Sequence, residues 1–152
     1  MRRGWGRGIA CCYTFDSYLA HVAEVSVDND GNVRVHRIVC AVDPGIAVTP
    51  DGVKAMAEGG ANFALTQVLQ GEITIKDTTV EQSNFDGYQV LRMNDAPDIE
   101  VYIAPSGAEM GGMGEAAVPG TAPAVMNAVF AATGRRVRRL PIDPTLLARS
   151  KV

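Results

Sequence analysis

The sequence predicts an α+β fold, with helices packed on a mixed or antiparallel sheet, and three observations predict it. Residues 18–43, YLAHVAEVSVDNDGNVRVHRIVCAVD, alternate at period two on both sides of a turn-forming DNDGN. Residues 49–71, TPDGVKAMAEGGANFALTQVLQG, change to the period of a helix. A second helical run, TAPAVMNAVFAATG, follows at 121–134. Strands and helices do not alternate regularly along the chain, which favours α+β over a parallel α/β sheet.

The hairpin comes first. Leu19, Ala23, Val25 and Val27 share one face of its first strand, and Val33, Val35, Ile38, Val39 and Cys40 form its second. In the first helix Thr49 is placed to cap, Pro50 suits the first helical position and Asp51 complements the positive end of the dipole. Val53, Met56, Ala57, Ala61, Ala64 and Val68 form its expected core face, and Gly71 ends it. Gly59 and Gly60 each cost ~1 kcal/mol relative to alanine, so close packing is expected to offset them. GEITIKDTTVEQ predicts two short strands around Lys76 and Asp77, SNFDGYQVLRMNDAPD a long ordered loop, and IEVYIAP a strand. The second helix is expected to open at Thr121 and Pro123 and close at Gly134. RRVRRLPI then predicts a short strand, and DPTLLARS a last helical turn. With 152 residues, 47% of them hydrophobic, the chain is long enough for one domain with a real core, taken as 1–152.

Composition excludes several function classes. A net charge of −3 gives no bulk attraction to nucleic acid. No apolar run approaches the ~20 residues of a membrane span. The paired arginines near the start have no apolar stretch behind them, so they do not form a signal peptide. Cys11, Cys12 and Cys40 lack CxxC spacing, and adjacent extended cysteines project to opposite faces, so all three are expected as reduced or core thiols. No residue is expected to ligate a metal. His21 and His36 lie on the hairpin without metal-binding spacing and are expected at its surface. Asp43 in VDPG is expected as a turn acid, and RRVRR as a solvated edge. Glu58, beside Gly59 and Gly60, is either a buried hydrogen-bonding acid or a polar-face residue.

GGMGEAAVPG, residues 111–120, is the segment with chemistry in it. Glycine allows close backbone approach, and a carboxylate in such surroundings is either a turn residue facing water or a group held against a ligand. Spacing alone favours the turn residue. The pattern fails the dinucleotide fingerprint, which needs a third glycine and an acid ~20 residues on. It does lie between a strand and a helix start, where small ligands are often held.

Taken in order, GRGIA, YLAHVAEVSVDNDGNVRVHRIVCAVDPGIAVTPDGVKAMAEGG, VEQSNFDGYQVLRMNDAPDIEVYIAPS and GGMGEAAVPGTAPAVMNAVFAATGRRVRRLPI resemble one family. It is the carboxyl-terminal end of the large, molybdopterin-binding subunit of the xanthine dehydrogenase/aldehyde oxidase family, nearest the branch that holds the isoquinoline 1-oxidoreductase β-subunit. The resemblance runs from about Gly6 to Ile142. It implies that Glu115 is the general base in hydroxylation of an N-heterocycle or aldehyde, with water as the oxygen source. It also implies that Gly112, Met113 and Gly114 lie against a molybdenum–molybdopterin cofactor. Met56 stands where the family commonly has glutamine, and Ala116 and Gly120 replace prolines common after the motif.

The family's molybdenum subunit is several times longer and works with a small iron–sulfur subunit. The resemblance therefore implies a piece of a larger subunit or a short reading frame descended from one. Alone, such a chain is expected to bind the cofactor weakly or not at all and not to turn over. The alternative is a non-catalytic relic or interaction module that self-associates, for instance as a homodimer. For the chain as given a cytoplasmic location is expected, whereas whole members of this branch often carry an export signal to the periplasm.

Overall fold

Alternation along residues 17–43 builds the centre of the sheet. The computed structural model describes residues 4–104 and 106–148; Arg2, Arg3, Pro105 and the end of the last predicted turn, Arg149 and Ser150, lie outside them. Strands β1 (Trp5–Thr14), β2 (Ser17–Val27), β3 (Val33–Asp43) and β6 (Asp98–Ile103) form a sheet in the order β1-β2-β3-β6. β1 and β3 each pair antiparallel with β2, and β6 joins β3 in parallel, so the sheet is mixed. Two-residue strands β4 (Ile75–Lys76) and β5 (Thr79–Val80) make a separate small hairpin, turned by Asp77 and Thr78 at φ 47° and 66°. The helices are α1 (Pro50–Leu69) and α2 (Val118–Thr133).

The core lies between one sheet face and the helices. Ser17, Leu19, His21, Ala23, Val25 and Val27 of β2 all point into it. His21 is thus wholly buried rather than a surface histidine, because it shares the inward register of its apolar neighbours. His36 is partly exposed. It falls at a register irregularity opposite Glu24 and Val25, where its ring stacks on Trp5 at 4.2 Å and its Nε2 lies 2.7 Å from Ser26 Oγ. On α1 the buried set is Ala57, Gly60, Ala61, Ala64, Leu65, Thr66 and Val68. Met56, expected in the core, is instead 51% exposed.

Three elements differ from the sequence reading. β1 is a ten-residue edge strand that the period of the hairpin did not reveal. Its glycines read as weak strand formers, yet α2 requires them: a Cβ on Gly6 would stand 2.0 Å from the Ala128 carbonyl oxygen, and one on Gly8 2.3 Å from that of Ala124. α2 begins at Val118, before Thr121, because Pro119 occupies its first turn; Pro123 lies inside the helix, and Gly134 closes it at φ 73°. Residues 135–142 form no strand. They run along the surface with Arg136 over the Phe130 ring at 3.6 Å and Arg139 on Glu72 at 2.8 Å, until the Ile142 N–H donates to the Val68 carbonyl. The predicted final turn is a short 3-10 helix, Pro144–Leu146, capped by Asp143.

Candidate functional site

The hairpin tip joining β1 to β2 and the glycine segment before α2 meet at one end of the sheet. Phe15 and Asp16 make a two-residue connection with φ 51° and 59°, both left-handed. The Tyr13 hydroxyl donates to Asp16 Oδ1 at 2.7 Å, and the Tyr13 and Tyr18 rings lie 4.5 Å apart, which braces the tip. Onto it the glycine segment is laced. The Gly112 N–H donates to the Phe15 carbonyl at 2.6 Å, the Ser17 hydroxyl donates to the Gly112 carbonyl at 3.0 Å, and the Gly111 N–H donates to Pro44 at 2.9 Å. A Cβ on Gly111 would come within 2.5 Å of both the Asp16 carbonyl and Ser17 Oγ, so glycine is required there.

Past this seam the chain parts into an inward and an outward half. Met113 turns its side chain into a cluster with Leu19, Cys40, Val42, Ala57, Ala116 and Ala117. Any cofactor contact by Met113 is therefore left to its backbone. Gly114 has open space around it, with nothing within 4 Å of a Cβ. Glu115 is exposed, and its carbonyl accepts from Val118 at the start of α2. Its carboxylate makes no hydrogen bond or ion pair among the described residues. Phe15, Gly112, Gly114 and Glu115 line an open hollow of about 380 Å³. Among the described residues the N–H groups of Met113, Gly114 and Glu115 have no hydrogen-bond partner.

Beneath the segment is a buried polar pair. His21 Nε2 lies 3.2 Å from Cys40 Sγ, and its Nδ1 has no partner. Burial lowers the His21 pKa to about 4 and raises that of Cys40 to about 12, so both are neutral near pH 7. Cys12, half-buried, sends a long 3.9 Å contact to the Ala116 carbonyl, and burial raises its thiol pKa too. The three thiols are free, and no metal-holding group of His, Cys, Asp and Glu occurs among the described residues.

The remaining sequence candidates lie apart from this hollow. Asp43 is a turn acid: its Oδ1 accepts from the Gly45 and Ser106 N–H groups and the Ser106 hydroxyl, and these bonds, Gly45 first, lower its pKa. Glu58 is on the exposed side of α1. Sequence reasoning missed Phe15 and Ser17. The signal was present in YTFDSY, where two residues separate aromatic and polar flanks, but it is readable only once β1 is recognised.

Comparison with known proteins gives this geometry a family. Residues 5–97 match the family model of the molybdopterin cofactor-binding domain. The chain belongs to that family. It is 34% identical over 146 residues to the beta subunit of isoquinoline 1-oxidoreductase from Brevundimonas diminuta, covering 94% of this chain and 19% of that protein. A nicotinate dehydrogenase subunit of Pseudomonas putida is 37% identical over 128 residues, 83% of this chain and 11% of the relative. Among solved structures, quinoline 2-oxidoreductase from Pseudomonas putida superposes with a TM-score of 0.74 at 26% identity, over 84% of this chain and 18% of that one. The molybdopterin-binding family thus accounts for the α+β fold, while this chain spans about a fifth or less of those proteins. No helix among the described residues is long and apolar enough to cross a membrane.

Proposed function

We propose that this chain is the glutamate-bearing part of a molybdenum hydroxylase that oxidises an N-heterocycle or aldehyde with water as the oxygen source, with Glu115 as general base. The observation that carries this is the uncommitted carboxylate of Glu115 in an open hollow, beside N–H groups that lack partners. A general base must have its carboxylate free to accept a proton, and an ion-paired acid would not serve. The relatives include isoquinoline and nicotinate enzymes as well as aldehyde-oxidising ones, so both substrate classes belong to this reading.

The residues present fit the cofactor. Unpartnered donors at Met113, Gly114 and Glu115, next to the positive end of α2, suit an acceptor-rich group, and the space around Gly114 lets one approach. Met113 and Gly114 would hold it through their backbone N–H groups, and Gly112, whose own N–H and carbonyl are bonded to the hairpin tip, would lie against it without a Cβ in the way. When bound, the molybdenum cofactor supplies the redox chemistry and makes the reacting water more acidic. Glu115 takes up the proton at a carboxylate oxygen, and the Phe15 ring shields one side of the hollow.

The rest of the molybdenum subunit and a small iron–sulfur subunit are the partners this reading requires, and the chain alone is proposed to be inactive. The sheet face away from the helices supports a missing covering. On it Ile9, Val22 and Val39 stand in register across three strands, and Cys11, Ala20, Ala41 and Tyr102 across four. The same exposed face favours a second reading, a non-catalytic module that dimerises through it. The two separate on one experiment. In the whole subunit, Glu115→Gln should abolish oxidation while molybdenum content is kept; retained turnover would sink the catalytic reading.

A further inference from the structure

The hairpin tip is an unusual seat for a glycine segment. Phe15 and Asp16 both occupy the left-handed region, which Asn-Gly or Asp-Gly would fill with less strain. Ser17 beside them is wholly buried, and its hydroxyl makes its one hydrogen bond to the Gly112 carbonyl at 3.0 Å. The return bond, from the Gly112 N–H to the Phe15 carbonyl, is 2.6 Å long. Two bonds running in opposite directions therefore lock Gly112 to the tip. On the far side, Ala116 and Ala117 are buried in the core where α2 starts. Glu115 is strung between these two fixed points; of the two residues between it and the lock, Met113 is also held, by its side chain in the core, and Gly114 is open on all sides.

We infer that Ser17 is a positioning residue for Glu115: its hydroxyl fixes the near end of the short span that carries the carboxylate. This rests on reading Glu115 as the base. Without the hydroxyl the Gly112 carbonyl would lose its partly buried partner, and one of the two bonds that hold the segment to the tip would be gone. Glu115 itself would keep its chemistry but lose its place, and misplacing a reacting group is costly even when the group is intact. A serine that merely stabilised the fold would act differently, because its loss would weaken the whole sheet evenly.

Amide hydrogen exchange on the 152-residue chain separates these roles without any cofactor. Ser17→Ala should speed exchange at Gly111 and Gly112 about tenfold, the change expected for losing one hydrogen bond of about 1 kcal/mol, while amides of the β2–β3 pairing keep their rates. Ser17→Thr, which keeps a hydroxyl, should restore protection at both glycines. If Ser17→Ala does not fold, Gly112→Ala replaces it: its Cβ would meet that of Phe15 at 3.0 Å and should loosen the same amides. In the whole subunit, Ser17→Ala should lower kcat with KM little changed. Uniform acceleration across the sheet, or unchanged exchange at both glycines, would overturn the proposal. Glu115→Gln tests the base separately: turnover that survives it removes the catalytic reading, whatever the exchange data show about Ser17.

Discussion

Gly120 packs against the imidazole of His21: a Cβ at position 120 would stand 2.3 Å from Nδ1 and 2.7 Å from Cε1. The resemblance to the molybdopterin-binding subunits implies proline at position 120. Here a ring at that point would drive into a histidine that is 0% exposed and has no room to move aside. The glycine and the buried histidine are therefore one packing unit. They join the first turn of α2 to β2, directly below the segment that carries Glu115.

Restoring the bulk at 120 should fail unless the histidine is reduced as well. Gly120→Ala is expected to cost ~1–3 kcal/mol by overpacking, with Gly120→Pro at least as harmful. Pairing either change with His21→Ser should recover much of the loss, because the two residues share one space. Urea denaturation of the single and double variants checks this. Additive losses would show that the two positions do not compete for the same volume.

His21 should also make stability depend on acidity. Its pKa is held at about 4 in the fold by burial, against 6.5 when exposed. Between these values the unfolded chain binds a proton that the folded chain refuses, so stability falls as pH drops from about 6.5 towards 4 and is flat for this group above that window. The full effect is on the order of 3 kcal/mol. His21→Gln should flatten that part of the profile in denaturant titrations between pH 7 and pH 4.

The hairpin, α1, the β4–β5 pair and β6 were legible in the sequence because each follows a local rule of period or turn chemistry. β1 was not. Gly6 and Gly8 look like strand breakers until α2 is seen lying across them, a contact between residues more than a hundred positions apart. The arginine-rich segment 135–142 has the alternation of a strand but no neighbour to pair with, so alternation alone misled. His21 shows the limit from the other side: its period placed it inward with Leu19 and Ala23, and only a general expectation about polar residues placed it outside. At the site, Glu115 could be singled out by its glycines, but the hairpin tip that holds them depends on β1 and was hidden with it.

The four glycines of the segment and its flank should not be equivalent. Gly111 has Asp16 and Ser17 atoms 2.5 Å from where a Cβ would be, so Gly111→Ala should destabilise the chain by ~1–3 kcal/mol. Gly114 has nothing within 4 Å, so Gly114→Ala should leave the melting temperature nearly unchanged. If Gly114 faces the cofactor, the same variant should lower the molybdenum content of the whole subunit. A silent Gly114→Ala in both assays would remove Gly114 from the set of cofactor contacts.

The open face of the sheet gives the last expectation. Ile9, Tyr13 and Tyr18 are more than half exposed there, and apart from Asp43 beside Tyr18 their neighbours in register are apolar or aromatic until the far end. At that end Arg7, Glu24, Arg37 and Glu100 form a ladder of ion pairs, with Arg7–Glu24 and Arg37–Glu100 both at 2.6 Å. Exposed ion pairs add little stability, but they keep their end of the face wetted, while the apolar rows need a cover. On its own the chain is expected to self-associate through those rows, at a concentration that sedimentation can locate. Ile9→Asp should shift it to monomer and leave its urea midpoint almost where it was, since the Ile9 side chain does not enter the core. A wild-type chain that stays monomeric at every accessible concentration would remove the dimerising module from consideration. A variant that associates as before would instead place the contact elsewhere, on the exposed apolar residues of the β4–β5 arm, Ile73, Ile75 and Phe85.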